Sequence, residues 1–280
     1  MVDLHSHTNK SDGSLSPVEL IELARRSGVE VLGITDHDTV EGYDEAAQHA
    51  GSAGIELICG IELGSKFHGR PIHVLGYFFQ APPDAEFRAH LRCLQISRRE
   101  RNGRLAARLR QLGLEVHRGE AEKLGRSQTG RPHFAQLLVD KGHVGNVREA
   151  FDRYLDESAP GFVERRDPAL ETVIRWIHRA GGRASWAHPA RMIRESGLGA
   201  EQLFREMADL GMDAIEVYHS DQNADEQSLY LALASKIGLA VSGGSDFHGA
   251  SKPQIGLGRV VLPAEHWAEF RRLGSGMQVE

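Results

Sequence analysis

Short, almost continuously apolar runs recur along this chain, and most of them end in a histidine or a carboxylate. The runs cover residues 2–5, 29–35, 55–63, 72–79, 183–187, 213–218, 239–242 and 258–262, each of strand length and often bounded by glycine. Near-continuous apolar character means burial on both faces, as in parallel sheets covered by helices. Helical patterns lie between them at 170–180, 200–210 and 225–237. The clearest helix start is Ser16-Pro17-Val18-Glu19, a capping box with proline at the first helical position. The helix it opens places Leu20, Ile21, Leu23 and Ala24 on one stripe and stops at Gly28. Strand–helix units in this number predict an α/β chain closed into a (β/α) barrel rather than an open sheet. Aromatic residues make up only 6% of the chain, so its core is expected to be aliphatic.

One stretch breaks the rhythm. Residues 85–165 carry no strand pattern, only helical patterns at 94–112, 132–141 and 147–155. We therefore expect a barrel from residues 1–84 and 166–280, with 85–165 a helical insertion serving as a substrate cap. Within it, residues 92–141 hold 12 Lys+Arg against 5 Asp+Glu, in a chain whose net charge is −6. A solvated helix face accounts for such a run, and so does a site for phosphorylated substrates. The acidic whole argues against wholesale coating of nucleic acid or of anionic membrane. No run approaches the ~18 apolar residues of a membrane span, and no secretory leader is visible at Met1-Val2-Asp3-Leu4-His5. Cys59 and Cys93 are too few for a disulfide framework or a thiolate zinc site, and both read as small buried hydrophobes in a reducing cytoplasm. The tail from 274 to 280 reads as frayed.

The chain has 15 histidines, and their placement is more telling than their number. Asp3-Leu4-His5-Ser6-His7-Thr8, followed by Asp12, closes the first run. Later runs close on Thr35-Asp36-His37-Asp38, Gly60-Ile61-Glu62, Ala187-His188-Pro189, Val217-Tyr218-His219 and Gly244-Ser245-Asp246-Phe247-His248. His73 alone stands at the start of a run. In a barrel the carboxyl ends of the strands meet on one face, so sequence-distant groups converge. A His-x-His on a strand also puts both imidazoles on one side. Ionisable residues recurring at one structural position are costly to bury unless they bind metal. His49, His68, His90, His117, His143, His178 and His266 lie in helix or loop contexts without carboxylate neighbours and read as structural or surface residues.

Taken together, these motifs resemble those of the PHP (polymerase and histidinol phosphatase) family, within the amidohydrolase-like hydrolases. The resemblance implies a distorted (β/α)7 barrel, TIM-like, with a di- or trinuclear metal centre, usually of zinc, manganese or iron. It implies three ligand sets: His5, His7, Glu62 and Asp246; Glu62 as a bridge with His73 and His188; and Asp12, His37 and His248. Asp12 stands where some relatives have histidine, and an oxygen ligand favours manganese or iron over zinc. The expected cofactors are thus two or three divalent ions, Mn2+ foremost, with Zn2+ or Fe2+ as alternatives. Two metals within ~4 Å lower the pKa of a bridging water and stabilise both oxygens of an in-line displacement, so the expected nucleophile is a metal-bound hydroxide. The sequence has no Gly-x-Ser-x-Gly elbow, P-loop or dinucleotide fingerprint. Asp246 is a candidate proton acceptor. His219 is either the acid for the leaving oxygen or a hydrogen-bonding residue behind the ligands.

Substrate class rests on the insertion. Ser127-Gln128-Thr129-Gly130-Arg131-Pro132-His133-Phe134 presents a glycine turn, an arginine and a helix start, whose free amides suit an anion. Arg131 can bind phosphate bidentately and His133 can add a hydrogen bond; an ordinary cap with a surface arginine is the alternative. Arg191 and Arg194 are weaker candidates for a second phosphate. With Gly130-Arg131-Pro132-His133 present, the chain resembles the family branch of nucleoside 3′,5′-bisphosphate phosphatases and 5′→3′ exoribonucleases. That branch implies release of the 3′-phosphate to give a nucleoside 5′-monophosphate, with the 5′-phosphate as recognition handle. The same handle would serve short 5′-phosphorylated RNA. Histidinol phosphate fits less well, because its cation needs an acidic pocket. A non-catalytic metal-binding regulatory module would tolerate missing ligands, whereas every expected position is filled. The residues alone read as a metal-dependent phosphoester hydrolase, with no membrane and no stable protein partner expected.

Overall fold

The computed structural model describes residues 1–125, 129–165 and 167–274. Ser127 and Gln128 of the insertion motif, and the tail beyond 274, lie outside the described residues. The chain divides into two compact units, Met1–Arg88 with Pro168–Glu280, and Ala89–Asp167. The first holds one sheet in sequential order: β1 (Val2–Asp3), β2 (Val31–Ile34), β3 (Glu56–Phe67), β4 (Arg70–Phe78), β5 (Arg183–Trp186), β6 (Ala214–Tyr218) and β7 (Ala240–Gly243). Its first and last strands meet. Leu4 N donates to Gly243 O (3.2 Å), Asp246 N to His5 O (2.9 Å) and His7 N to Phe247 O (2.9 Å), which makes the sheet a nearly closed barrel. In chain order the helices are α1 (Pro17–Ser27), α2 (Glu41–Ala53), α3 (Ala85–Gln111), α4 (Arg118–Gly125), α5 (Arg131–Asp140), α6 (Val147–Ala150, running on as a π turn through Leu155), α7 (Leu170–Arg179), α8 (Ala190–Ser196), α9 (Ala200–Asp209), α10 (Ala224–Ile237) and α11 (Ala264–Gly274).

α1 illustrates how the sequence builds the barrel wall. Ser16 Oγ accepts from Glu19 N while Glu19 accepts from Ser16 N, and Gly28 ends the helix at φ 74°. The stripe Leu20, Ile21 and Ala24 packs on Leu32 and Ile34 of β2, on Ala46 and Ala50 of α2, and on Phe247. Each such side chain contributes about 1.5–3 kcal/mol by leaving water.

Two expectations fail, each for a physical reason. Residues 258–262 form no strand: Leu262 N donates to Val2 O of β1 (2.9 Å), but Gly258 turns the chain at φ 71° and no ladder develops. The sheet is also not all parallel. β3 and β4 are joined by the two-residue turn His68-Gly69, with φ 48° and 72° at its centre, and Phe67 pairs with Arg70. So tight a turn can only join antiparallel strands, and β4 runs against both β3 and β5. The beginning of β4 therefore lies where the parallel strands end, which brings His73 to the same face as the other groups.

The second unit has its own core of Leu105, Leu109, Val116, Phe134, Leu137, Leu138 and Leu155, drawn from α3, α4, α5 and the connections around them. Cys59 is buried on β3, but Cys93 is exposed, contrary to expectation. Buried positions on α3 follow Phe87, Leu91, Leu94, Arg101, Leu105 and Leu109, a helical stripe that position 93 misses. Among the described residues, no helix is long and apolar enough to cross a membrane.

Candidate metal centre

Glu62 lies at the centre of the strand ends, almost fully buried. Its two oxygens face different partners. Oε2 lies 3.3 Å from His5 Nε2, 3.1 Å from His7 Nε2 and 3.5 Å from His37 Nε2. Oε1 lies 2.6 Å from His73 Nδ1 and 3.1 Å from His188 Nε2, and these two nitrogens are 3.3 Å apart. Asp246 Oδ1 adds to the first set, 3.3 Å from both His5 Nε2 and His7 Nε2. Asp12 approaches His248 Nε2 (3.3 Å), His7 Nδ1 (3.5 Å) and His37 Nε2 (3.6 Å). Three groups of ligand atoms, each within 4.8 Å of one another, follow from this: His5, His7, Glu62 and Asp246; His37, Glu62 and His73; His7, Asp12, His37 and His248. Eight of the nine residues expected as metal ligands fall in these groups, with His37 standing between two of them, and the ninth, His188, adjoins Glu62 Oε1 at 3.1 Å.

The backbone is strained where this cluster forms. Asp38, His188 and Asp246 have φ of 53°, 32° and 58°, a left-handed region that residues other than glycine rarely adopt. Each is tied down through its own amide: Asp38 N donates to Glu62 O (3.1 Å), His188 N to Glu216 Oε2 (2.7 Å) and Asp246 N to His5 O (2.9 Å). The strain is held by bonds to other parts of the same centre.

Charge is balanced locally. Burial alone would raise the carboxyl of Glu62, but the imidazoles of His37, His73 and His5 hold it well below the ordinary carboxylate range. Burial likewise opposes, and imidazoles overcome, in Asp246 (His5, His219, His7) and in Asp12 (His37, His248, His7). His37 goes the other way: burial pushes it down to about 4, so it is neutral at pH 7 with a lone pair available. Buried carboxylates compensated by imidazoles are a site that exchanges protons for metal cations.

Several supporting residues escaped the sequence reading. Glu216, in the middle of β6 and wholly buried, accepts from His5 Nδ1 (2.7 Å) as well as from the His188 amide. That bond leaves His5 Nε2 as the lone pair facing the cluster. His248 is set similarly, its Nδ1 donating to Asp246 O (2.8 Å). Asp36 accepts from Thr8 N, Thr8 Oγ1 and Ser11 Oγ at 2.8, 2.6 and 2.5 Å, and so fixes the turn that carries Asp12. No side chain larger than glycine's fits at position 42, where a Cβ would lie 2.0 Å from Asp36 Oδ2. Glu216 had a signal, a lone carboxylate inside an apolar run, since such a group is buried only with partners.

His219 is buried with its Nδ1 accepting from Asp221 N (3.0 Å), so in the neutral ring Nε2 carries the hydrogen. That nitrogen lies 3.6 Å from Asp246 Oδ2. Lys252 Nζ, also unremarked in the sequence, lies 2.7 Å from the same oxygen.

The proposed phosphate-binding residues divide. Arg191 is 78% exposed and faces Glu195, and Arg194 is held by Glu226 (2.5 Å) and Asp221 O (2.8 Å). In the free chain helix α8 turns both side chains to nearby acids. His133 accepts from Gly130 N (3.1 Å), closing the start of α5, and its ring packs over Gly125, so the capping alternative describes it. Arg131 donates to Leu155 O (3.2 Å) and stacks near Phe151 and Phe162. It also belongs to a basic cluster. Arg101, 5% exposed, is pulled down to about 9, first by burial and then by Arg98, Arg165 and Arg131, with Asp167 opposing.

The PHP domain pattern matches residues 3–164, more than half of the chain. The 5′-3′ exoribonuclease of Haemophilus influenzae is 36% identical over 246 residues, covering 88% of this chain and 89% of that protein. The 3′,5′-nucleoside bisphosphate phosphatase of Chromobacterium violaceum is 33% identical, covering 88% and 87%. Among solved structures, an amidohydrolase from Chromobacterium violaceum superposes with a TM-score of 0.81 at 31% identity, covering 96% and 95%. A protein assigned as a metal-dependent phosphoesterase, from Bifidobacterium adolescentis, does so with a TM-score of 0.83 at 28% identity, covering 99% and 96%. The matched stretch contains His5, His7, Asp12, His37, Glu62 and His73, and the relatives extend the likeness across most of the remainder; this chain belongs to the PHP family.

Proposed function

We propose that the chain is a metal-dependent phosphatase that removes the 3′-phosphate of nucleoside 3′,5′-bisphosphates, giving a nucleoside 5′-monophosphate and phosphate. The observation that carries this reading is the division of Glu62, whose two oxygens serve two separate sets of imidazoles. A carboxylate so placed would serve two metal ions at once. His5, His7, Glu62 and Asp246 would hold one ion, Glu62, His73 and His188 a second, and Asp12, His37 and His248 a third. The mixed nitrogen and oxygen donors suit manganese, zinc or iron. When bound, such ions polarise the phosphoryl oxygens and make water a nucleophile near neutral pH.

The chain's own residues have distinct tasks. Glu216 holds His5 in the tautomer whose Nε2 is free. Asp246 directs Oδ1 to the imidazoles, leaving Oδ2 to accept a proton from the attacking water. His219 Nε2–H, beside that oxygen, donates a hydrogen bond to the 3′-oxygen as its bond to phosphorus breaks, and the proton that oxygen takes up comes from water. In the insertion, Arg131 and the arginines around Arg101 offer donors suited to a phosphate. Support for the nucleotide assignment comes from the Chromobacterium violaceum relative. A second reading, 5′→3′ cleavage of short 5′-phosphorylated RNA, is favoured by the Haemophilus influenzae relative. The same centre would then act on a 3′-phosphodiester.

Steady-state kinetics with manganese test the proposal, comparing adenosine 3′,5′-bisphosphate, 3′-AMP and a 5′-phosphorylated trinucleotide. The bisphosphate should be the best of the three and 3′-AMP poor. A preference for the trinucleotide, with release of 5′-mononucleotides, would make the chain an exoribonuclease. Equal, feeble turnover of all three would overturn the nucleotide assignment.

A further inference from the structure

The two oxygens of Asp246 meet opposite surroundings. Oδ1 faces ring nitrogens of His5, His7 and His248 at 3.3, 3.3 and 3.4 Å, whereas Oδ2 faces Lys252 Nζ at 2.7 Å and His219 Nε2 at 3.6 Å. Lys252 is not a loosely hung surface side chain. It follows a short 3-10 turn, Gly249–Ser251, and its amide donates to Gly249 O (3.1 Å). Ser14 pins that turn from the other side of the centre: Ser14 N donates to His248 O (3.0 Å), and Ser14 Oγ accepts from Ala250 N (2.8 Å). Gly249 makes this approach possible, since a Cβ there would lie 2.2 Å from Ser14 Oγ. The ammonium is thus built into the centre, with its side chain 37% exposed and able to meet an incoming molecule.

A fixed cation at this place needs a reason. Asp12, Glu62, Asp246 and Glu216 are the acids of the ligand groups. Two divalent ions would match their charge and three would outweigh it, so an ammonium beside Asp246 makes the loaded centre positive at short range. An anion relieves that charge, and a phosphoester hydrolase admits one in its substrate's phosphoryl group. Arg191 and Arg194 are not competitors for the task, being paired with Glu195 and Glu226.

We infer that Lys252 is a substrate-binding residue of the metal centre, which pairs with Asp246 Oδ2 in the free enzyme and binds a non-bridging oxygen of the scissile phosphoryl group when substrate arrives. The lysine makes and breaks no covalent bond. It supplies positive charge where the phosphoryl oxygens gather charge in the transition state. The inference rests on phosphoester hydrolysis at this centre and is independent of which phosphoester is cleaved.

The test uses the manganese-loaded full chain and the variants Lys252→Met and Lys252→Arg. Calorimetry with inorganic phosphate as the probe reads affinity directly, and metal content per chain is measured on the same samples. Lys252→Met should keep its metal and bind phosphate roughly 10-fold or more weakly, with Lys252→Arg in between, as expected for loss of a charge-assisted hydrogen bond. Unchanged phosphate affinity in Lys252→Met would overturn the inference even if the enzyme hydrolyses bisphosphates as proposed. Loss of metal from both variants would overturn it too, making Lys252 a positioning residue for Asp246. Conversely, a wild-type chain that turns over no nucleotide but binds phosphate through Lys252 would fail the functional reading and uphold the inference.

Discussion

At the strand ends of the barrel, buried Glu62 and Asp246 and half-buried Asp12 lie within about a hydrogen bond's length of imidazoles; in the insertion, Arg101 is buried beside Arg98, Arg131 and Arg165, with Asp167 close by. The first arrangement is a set of lone pairs that becomes more stable on taking up cations. The second is a set of hydrogen-bond donors whose mutual repulsion is relieved by an anion. Neither arrangement comes from the needs of folding, since taking charges out of water costs several kcal/mol each. Each is held in place by an independent apolar core, one around Leu20, Ile21 and Phe247 and the other around Leu109, Phe134 and Leu138. The two units thus carry opposite chemistries, carboxylates with imidazoles in one and guanidinium groups in the other.

The comparison breaks most readily at Glu62. Glu62→Gln keeps the shape and removes the charge that joins the two sets of imidazoles. Its kcat on the bisphosphate should fall by at least about 10²–10³-fold, as for loss of a central electrostatic group. Metal content should fall with it, and chelation should lower the melting temperature of the variant less than that of the wild type. A Glu62→Gln protein with normal metal content and turnover would remove the bridge from the argument.

The next effect is expected at Glu216, which touches no substrate in this reading. Glu216→Gln still fits but no longer fixes the tautomer of His5 or holds the His188 amide as firmly. Partners of metal-binding histidines are worth about 10–100-fold in metal affinity or activity. Metal titration should therefore show weaker binding, and excess manganese should recover much of the activity. Failure of excess metal to recover it would place Glu216 in the chemistry itself.

How much of this was legible in the sequence follows from which forces act locally. The strand ends were readable because side chains alternate along a strand and because His5, His7, Glu62, His188 and Asp246 would be costly to bury without a metal. His73 stood out as an exception because the turn at His68-Gly69 could not be seen: histidine is a poor marker for a left-handed turn position, so β3 and β4 read as separate units. Lys252 was hidden for a different reason. Its place depends on the path of a turn pinned by Ser14, more than 230 residues earlier in the chain. The setting of Arg191 and Arg194 was not legible, because closeness to His188 in sequence says nothing about which way α8 points them.

The insertion side of the comparison is sharpened by Arg101→Met. A hydrogen bond to a charged group contributes about 1.5–3 kcal/mol, so kcat/KM for adenosine 3′,5′-bisphosphate should drop roughly 10- to 100-fold, chiefly through KM. Turnover of 3′-AMP, which lacks the second phosphate, should hardly change. The variant should also melt no lower than the wild type, because a buried like-charge contact with Arg98, Arg131 and Arg165 has been removed. Equal losses on both substrates would mean that the cluster supports the fold or the chemistry, not the recognition of a second phosphate.

The smallest effect belongs to Arg191, and it matters because sequence proximity made that residue a candidate. Its side chain is 78% exposed and its nearest acid, Glu195, is 3.5 Å away on the same helix. Exposed pairs of this kind contribute about 0–1 kcal/mol. Arg191→Ala should therefore leave kcat, KM and metal content within about twofold of the wild type, a difference below the ~1.4 kcal/mol that a tenfold change requires. A tenfold rise in KM for the bisphosphate alone would show that α8 turns Arg191 toward the substrate during the reaction, and would return phosphate recognition to the barrel unit.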